Sequence, residues 1–349
     1  MAKRVGMLTG GGDCPGLNAV IRAVVRASDT AGWECVGVLE GWRGLVEGRF
    51  QDLGPDQVAN ILARGGTIIG ASRTNPYKIE GGVEKVLQNA HERGLDALIA
   101  IGGEDTLGVA AKLYREHGFP VVGVPKTIDN DLSGTDYTFG FDTAVTTATE
   151  AIDRLRTAAE SRKRVMVVEV MGRHAGWIAL MSGIASGADL VLIPEQRMTV
   201  EAVCEELRRG HERGKSFSVV VVSEGYEIAY ESGEGELVGQ EAPATDQFGH
   251  VLLGGVSGVL GQEIERLTGF ETRVTVLGHV QRGGTPTPRD RVLATRFGLR
   301  AAELAHSGVF GQMVALRGDD VVAVSLDEAT AELKTVTPKW YAVAQAFFA

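Results

Sequence analysis

The sequence is poor in cysteine, has no excess of positive charge and contains no long apolar run. Each absence removes a class of function. The three cysteines, Cys14, Cys35 and Cys204, are odd in number and far apart. They form no CxxC pair and no metal-ligand cluster, so they read as free thiols of a reducing compartment. Lys and Arg number 35 against 45 Asp and Glu, a formal charge of −10. That balance argues against a nucleic-acid binder or a protein held on anionic lipid, while leaving room for a local basic pocket for a phosphorylated metabolite. No apolar run of about 18 residues and no signal-peptide h-region occurs, so a cytoplasmic protein with no membrane partner is expected. Short-period repeats and coiled-coil heptads are also missing. The apolar end WYAVAQAFFA suits a docked C-terminal helix better than a membrane-seeking tail.

What the chain has in quantity is glycine, 47 of its 349 residues, much of it clustered between apolar runs. Such clusters mark sharp turns or close backbone approach to a ligand. The length suits roughly two domains of about 150 residues each. An apolar run, a Gly-rich turn and a helix recur in that order. Arg4–Thr9 leads through Gly10–Gly16 to a helix over Leu17–Ser28. Asp96–Ile101 leads through Gly102–Thr106 to a helix over Leu107–His117, and Pro120–Val124 runs into Pro125–Asp131. After a helix over Asp142–Ala159, the alternation resumes with strands at Arg164–Val170, Leu190–Ile193 and Ser218–Ser223. Continuous apolar strands alternating with helices predict an α/β fold with mostly parallel sheets covered on both faces. Ligands then bind beyond the carboxyl ends of the strands. The Gly/Glu-rich stretch from Tyr230 to His250 reads as a surface loop.

The opening GGGDCPG, residues 10–16, is neither of the common nucleotide motifs. A GxGxxG fingerprint starting at Gly10 fails at Pro15, and a P-loop spanning Gly11 to Gly16 has Leu17 where Lys is required. What remains is a strand, glycines and a helix N-terminus that favours an anion, with Pro15 suited to the first turn. A tight turn and nothing more stays open. VPKTIDNDL, residues 124–132, places Asp129 and Asp131 around Asn130, with Lys126 and Thr127 before them. By itself this could be an Asx-rich turn. IGGEDTLG adds Glu104 and Asp105 at the next strand end. Acids gathered in one crevice repel unless a metal or protons balance them, and Mg²⁺ prefers one or two carboxylates plus water and phosphate oxygens. Phosphoryl transfer needs such a metal, an oriented base and cations, which Arg73 of GASR and Lys126 could supply.

The segments LTGGGDCPGLNAVIR, GASR, GGEDT, PKTIDND, RVMVVEVMGRHAG, SEGY and ETRVTVLGHVQRGG, in that order, resemble the phosphofructokinase family over nearly the whole chain. The resemblance is nearest to the pyrophosphate-dependent 6-phosphofructokinases of the actinobacterial type. It implies two doubly wound α/β domains with the active site in the cleft between them. Residues 1–140 plus 281–330 would bind the phosphoryl donor, and 141–280 plus 331–349 the sugar phosphate. It also implies Mg²⁺, a homo-oligomer, and transfer of a phosphoryl group to the 1-hydroxyl of fructose 6-phosphate. By motif, Asp129 would be the general base, flanked by Thr127 and Asp131. Gly11 and Gly12, with Asp105 and Lys126, would hold the donor, and Glu104 and Asp131 the metal. Met171, Gly172, Arg173 and Glu224 would bind the sugar. His279 and Arg282 would hold the 6-phosphate, joined by Arg164 and Arg273 from a neighbouring subunit.

ATP-using members have Gly where Asp105 stands, which lets a nucleotide's α-phosphate pass. Asp105 brings bulk and negative charge to that place, and with Lys126 it matches the pyrophosphate-dependent members. Pyrophosphate is therefore the expected donor. An ATP-dependent 6-phosphofructokinase tolerating Asp105, the same chemistry on sedoheptulose 7-phosphate, and an idle metabolite-binding subunit are the alternatives. Arg22, Arg26, Arg156, Arg213 and Lys215 match basic effector-site positions of bacterial ATP enzymes. Arg22 and Arg26, four apart on one helix, are equally a solvated basic stripe.

Overall fold

The two runs Ala97–Gly102 and Val121–Pro125 are buried at every residue, as strands covered on both faces must be. They form the centre of the larger of two sheets. The structure, a computed structural model, describes residues 3–232 and 255–348. Its strands are β1 (Arg4–Gly10), β2 (Glu34–Val38), β3 (Phe50–Leu53), β4 (Ala71–Ser72), β5 (Ala97–Gly102), β6 (Val121–Pro125), β7 (Val165–Val170), β8 (Leu190–Leu192), β9 (Ser218–Ser223), β10 (Thr272–Val276), β11 (Gln312–Arg317) and β12 (Asp320–Ser325). The larger sheet has the order β12-β11-β6-β5-β1-β2-β3, with β4 on the end of β1. Its centre is parallel and both edges are antiparallel, β2 with β3 and β11 with β12. The last pair is antiparallel because Gly318 and Asp319 alone connect it, too short for a parallel crossover.

The smaller sheet, β10-β7-β9-β8, is parallel throughout. The valines of VMVVEV and SVVVVS bury it fully at β7 and β9. One apolar core joins the sheets, running from Ile99 and Val124 through Phe139 and Phe141 to Val168 and Ile178. It brings the carboxyl ends of β1, β5 and β6 toward the loop that follows β7.

The helix expected at 107–117 begins earlier, at Glu104. The GGEDT acids are therefore its first turn, not a loop. Carboxylates at a helix N-terminus meet the positive end of its dipole. The other expected helices run Leu17–Thr30 and Phe141–Arg162, slightly longer than their apolar periodicity. The chain end forms a docked helix, Pro338–Gln345, in which the Tyr341 hydroxyl donates to Val191 O at 3.0 Å. All three cysteines are free and buried, and burial pushes the Cys14 thiol up to about 12. No described helix is long and apolar enough to cross a membrane. The loop expected from Tyr230 to His250 lies mostly outside the described residues.

Two helices meet at a buried carboxylate. Asp290, near the start of the Pro288–His306 helix, accepts from Thr143 N at 2.8 Å and from the Thr143 hydroxyl. Thr287 donates its hydroxyl to Asp142 at 2.6 Å and its N–H to Thr143 Oγ1. The two N-termini thus cap each other. Burial pushes the Asp290 carboxyl up to about 6 despite those donors. A carboxyl raised on folding holds its proton better in the native state. Its contribution to stability is full below the unfolded value and fades as pH rises through about 6. Asp290→Asn, which keeps an acceptor and cannot ionise, is expected to gain stability relative to wild type between pH 4 and 7, by about 1–3 kcal/mol. Parallel denaturation profiles across that range would remove Asp290 as the titrating group.

Candidate active site

β1 delivers its glycines to the cleft at a point where a Cβ would crowd two cationic side chains. Gly11 has φ +80°, and its N–H donates to Ser72 O at 3.2 Å. A Cβ on Gly12 would lie 2.8 Å from Arg282 Nη1, and one on Gly11 3.1 Å from Lys126 Nζ. The two cations thus press directly on the β1 turn. Lys126 follows β6, is 3% exposed, and donates from Nζ to Gly12 O at 2.8 Å. Burial lowers its pKa, countered by Cys14 and reinforced by Arg282.

The turn after β6 sets two of the carboxylates that line the cleft. Thr127 Oγ1 accepts from Asp129 N at 3.1 Å. Asn130 then adopts φ +51°, a left-handed conformation that Asn tolerates better than most side chains. Its Oδ1 accepts from Thr138 N at 3.1 Å and from Lys334 Nζ at 3.0 Å. Asp129 lines the cleft, and its Oδ1 is buried without a hydrogen-bond partner. Burial pushes this carboxyl up to about 7. The Asp131 charge adds to the shift and Glu224 does so more weakly, while Arg282 and Lys126 oppose it. A carboxyl poised near neutrality in a cleft is what a general base requires. Arg173 Nη1 and Arg282 Nε are likewise buried without partners. One negative and two positive groups therefore await ligand atoms.

The cleft, of about 140 Å³, brings together most of the residues singled out in the sequence. Gly11, Gly12, Arg73, Glu104, Asp105, Lys126, Thr127, Asp129, Asp131, Arg173 and Arg282 all line it. Met171, Gly172, Glu224 and His279 do not line that volume but sit on loops adjoining it. Met171 N donates to Gln281 Oε1 at 3.3 Å, and the Ser223 hydroxyl donates to Gly172 O at 2.6 Å. Burial raises the Glu224 carboxyl, with Arg282 opposing. His279 is exposed in the short 3-10 turn Gly278–Arg282, beyond the strand that its apolar surroundings suggest.

Arg164 and Arg273 are elsewhere. Both bind the Glu271 carboxylate, at 2.6 and 2.5 Å. Arg164 precedes β7, whose six residues span about 20 Å from that end to the cleft end. Neither arginine serves the cleft of its own chain. The basic cluster is also divided. Arg156 and Lys215 line a crevice under the C-terminal helix, where Lys215 pairs with Asp189 at 2.7 Å. Arg22, Arg26 and Arg213 do not line that crevice.

Two residues at the site escaped the sequence reading. His174 lines the cleft and was available in the MGRHAG motif, one place beyond Arg173. Lys334 lies 204 positions from Asn130, and no local pattern announces it.

The phosphofructokinase family model matches residues 4–305. The chain is 62% identical over 346 residues to a pyrophosphate–fructose 6-phosphate 1-phosphotransferase of Amycolatopsis methanolica, covering 99% of each chain. It is 53% identical over 347 residues to an ATP-dependent 6-phosphofructokinase of Mycobacterium leprae, again covering 99% of each. Among solved structures, phosphofructokinase of Pichia pastoris in the T-state matches with a TM-score of 0.82 at 32% identity, covering 99% of this chain and 36% of that one. With the family match spanning every strand that reaches the cleft, and full-length likeness on both sides of it, this chain belongs to the phosphofructokinase family.

Proposed function

We propose that the protein transfers a phosphoryl group from pyrophosphate to the 1-hydroxyl of fructose 6-phosphate, giving fructose 1,6-bisphosphate and phosphate. The observation that carries the reading is the Asp129 carboxylate, whose buried Oδ1 has no hydrogen-bond partner among the described residues, in a cleft it shares with Arg173 and Arg282. Asp129 takes the proton of the sugar hydroxyl as that oxygen attacks phosphorus, and the P–O bond to the departing phosphate breaks. Thr127 holds the backbone of the base. Lys126 and Arg73 offset charge on the transferred group. Met171, Gly172, Arg173 and Glu224 bind the sugar, and Arg282 with His279 holds the 6-phosphate through the planar, multidentate chemistry that suits phosphate. Arg164 and Arg273 complete that phosphate site from a neighbouring subunit of a homo-oligomer.

Among the described residues no three His, Cys, Asp or Glu side chains gather as a metal cage. The carboxylates lining the cleft suit Mg²⁺, which needs only one or two of them when water and phosphate oxygens fill the rest. Asp131 and Glu104 would hold it, and the unpartnered Asp129 Oδ1 fits a nearby cation. When bound, Mg²⁺ neutralises charge developing on the phosphoryl oxygens.

The choice of donor rests on Asp105. Glu104 and Asp105 border both the cleft and a neighbouring crevice of about 270 Å³. A nucleotide reaching from one to the other would lay its α-phosphate against these carboxylates. Like charges a few ångströms apart cost several kcal/mol at intermediate dielectric, whereas a tenfold preference needs only about 1.4 kcal/mol. The similar proteins at 62% and 53% identity carry pyrophosphate and ATP in their respective names.

Initial rates with fructose 6-phosphate and Mg²⁺ are expected to be high with pyrophosphate and low with ATP. A preference for ATP would keep the family and overturn the reading of Asp105. Replacing Asp105 and Lys126 together by Gly should raise the ATP-to-pyrophosphate ratio of kcat/KM by about tenfold or more, and an unchanged ratio would remove these residues as the discriminator. Asp129→Asn is expected to lower kcat by about 10²- to 10⁴-fold while fructose 6-phosphate still binds. Near-normal turnover by that variant would end its assignment as the base.

A further inference from the structure

We propose that Lys334 is a positioning residue for phosphoryl transfer, fixing the turn that aims Asp129 and Asp131 from a C-terminal segment that crosses to both sides of the site. The inference rests on Asp129 as the base. Lys334 lies beyond residue 305, where the family match ends.

The segment pairs directly with the catalytic turn. Leu333 bridges to Leu132, the Ser133 hydroxyl donates to Glu332 O at 2.7 Å, and Lys334 N donates to Asp131 O at 2.7 Å. The Lys334 side chain then enters the turn. Its Nζ donates to Asn130 Oδ1 at 3.0 Å, to Thr135 O at 2.9 Å and to Asp136 O at 3.0 Å. An ammonium has three N–H donors, and all three are used on one turn. No neutral side chain offers that number from a single atom.

Asn130 is where this matters. A left-handed non-glycine residue persists only when its surroundings over-determine it. Asn130 has φ +51° and stands between the two carboxylates, so its conformation decides where both of them point. Thr138 N and Lys334 Nζ hold its side chain from two directions. Relaxing it would swing Asp129 away from the sugar hydroxyl while leaving the sugar's own contacts in place. Misplacement by about 1 Å can cost on the order of 100-fold in rate.

The same segment also grips the sugar side. Lys334 O accepts from Trp177 Nε1 at 2.9 Å, and Val336 N donates to Glu195 Oε1 at 2.8 Å. Glu195 in turn accepts from Gly176 N at 3.0 Å. Gly176 and Trp177 close the loop that carries Arg173. One short stretch of backbone therefore fastens the loop of the base and the loop of the sugar at a fixed separation.

The test uses the full-length enzyme with pyrophosphate, fructose 6-phosphate and Mg²⁺, reading kcat, KM and Tm together. Lys334→Met should lower kcat on the order of 100-fold, with KM for fructose 6-phosphate near its wild-type value. Lys334→Ala should recover part of its lost kcat when methylammonium is added, a response that loss of bulk packing does not produce. Asn130→Gly keeps the left-handed backbone accessible but removes the acceptor, and should show the same kcat-specific loss. The double variant Lys334→Met/Asn130→Gly should lose less than the product of the two single losses, because both break the Lys334–Asn130 contact. Wild-type kcat in either single variant, no recovery with methylammonium, or losses that multiply in the double variant would each overturn the proposal. Should Lys334→Met fail to fold, Asn130→Gly carries the test alone. Asp129→Asn separates the two levels. If that variant is inactive and Lys334→Met is normal, only the positioning role fails; if Asp129→Asn is active, the base assignment fails first.

Discussion

Burying the Asp129 carboxylate is the constraint on which the rest of the site depends. A carboxylate oxygen removed from water without donors is costly, and among the described residues none donates a hydrogen bond to Asp129 Oδ1. Its charge is balanced only at a distance, by Arg282 and Lys126, while Asp131 and Glu224 work against it. That imbalance lifts its proton affinity to near neutrality and leaves an acceptor facing the cleft. The same arrangement leaves Arg173 and Arg282 with unused donors. A phosphorylated ligand would satisfy these groups together, so their interactions become available for binding and orientation.

Such a cleft must be narrow, and the backbone makes it so. The glycines after β1 admit the Lys126 ammonium and the Arg282 guanidinium to distances at which a Cβ would crowd both side-chain ends. Parallel strands converge their carboxyl ends at the place where neighbouring connections leave on opposite faces, which opens a crevice there. In the larger sheet, β1 lies between β2 and β5, and its glycines sit at that crevice. The smaller sheet contributes Arg173 through the loop after β7. Asp129 and Arg173 thus belong to different sheets. Their separation is set by the shared core around Phe139 and Phe141 and by the backbone of residues 332–336.

Much of this was legible before any coordinates. Continuous apolar runs such as ALIAIG and SVVVVS announce buried parallel strands. The glycine-rich turns announce the strand ends where a ligand sits, and TIDND with GGEDT announces carboxylates at that edge. Local patterns also misled in small ways. The GGEDT acids looked like a turn because glycines precede them, whereas dipole and backbone make Glu104 and Asp105 the first turn of a helix. His279 follows the apolar run of a strand that ends at Val276, and it stands exposed in the tight turn beyond.

Fold class, family and most of the residues that line the cleft can be read along the chain, because strand periodicity, turn chemistry and motif order are properties of adjacent residues. The tertiary structure alone decided which distant groups meet. Arg164 and Arg273 share Glu271 at the far end of the smaller sheet. Lys334 finds Asn130 across 204 positions, and Glu195 joins Gly176 to Val336. Contacts of that range leave no period or spacing in a single chain. They arise only when packing closes the loops between them, and at this site they hold the carboxylates in place.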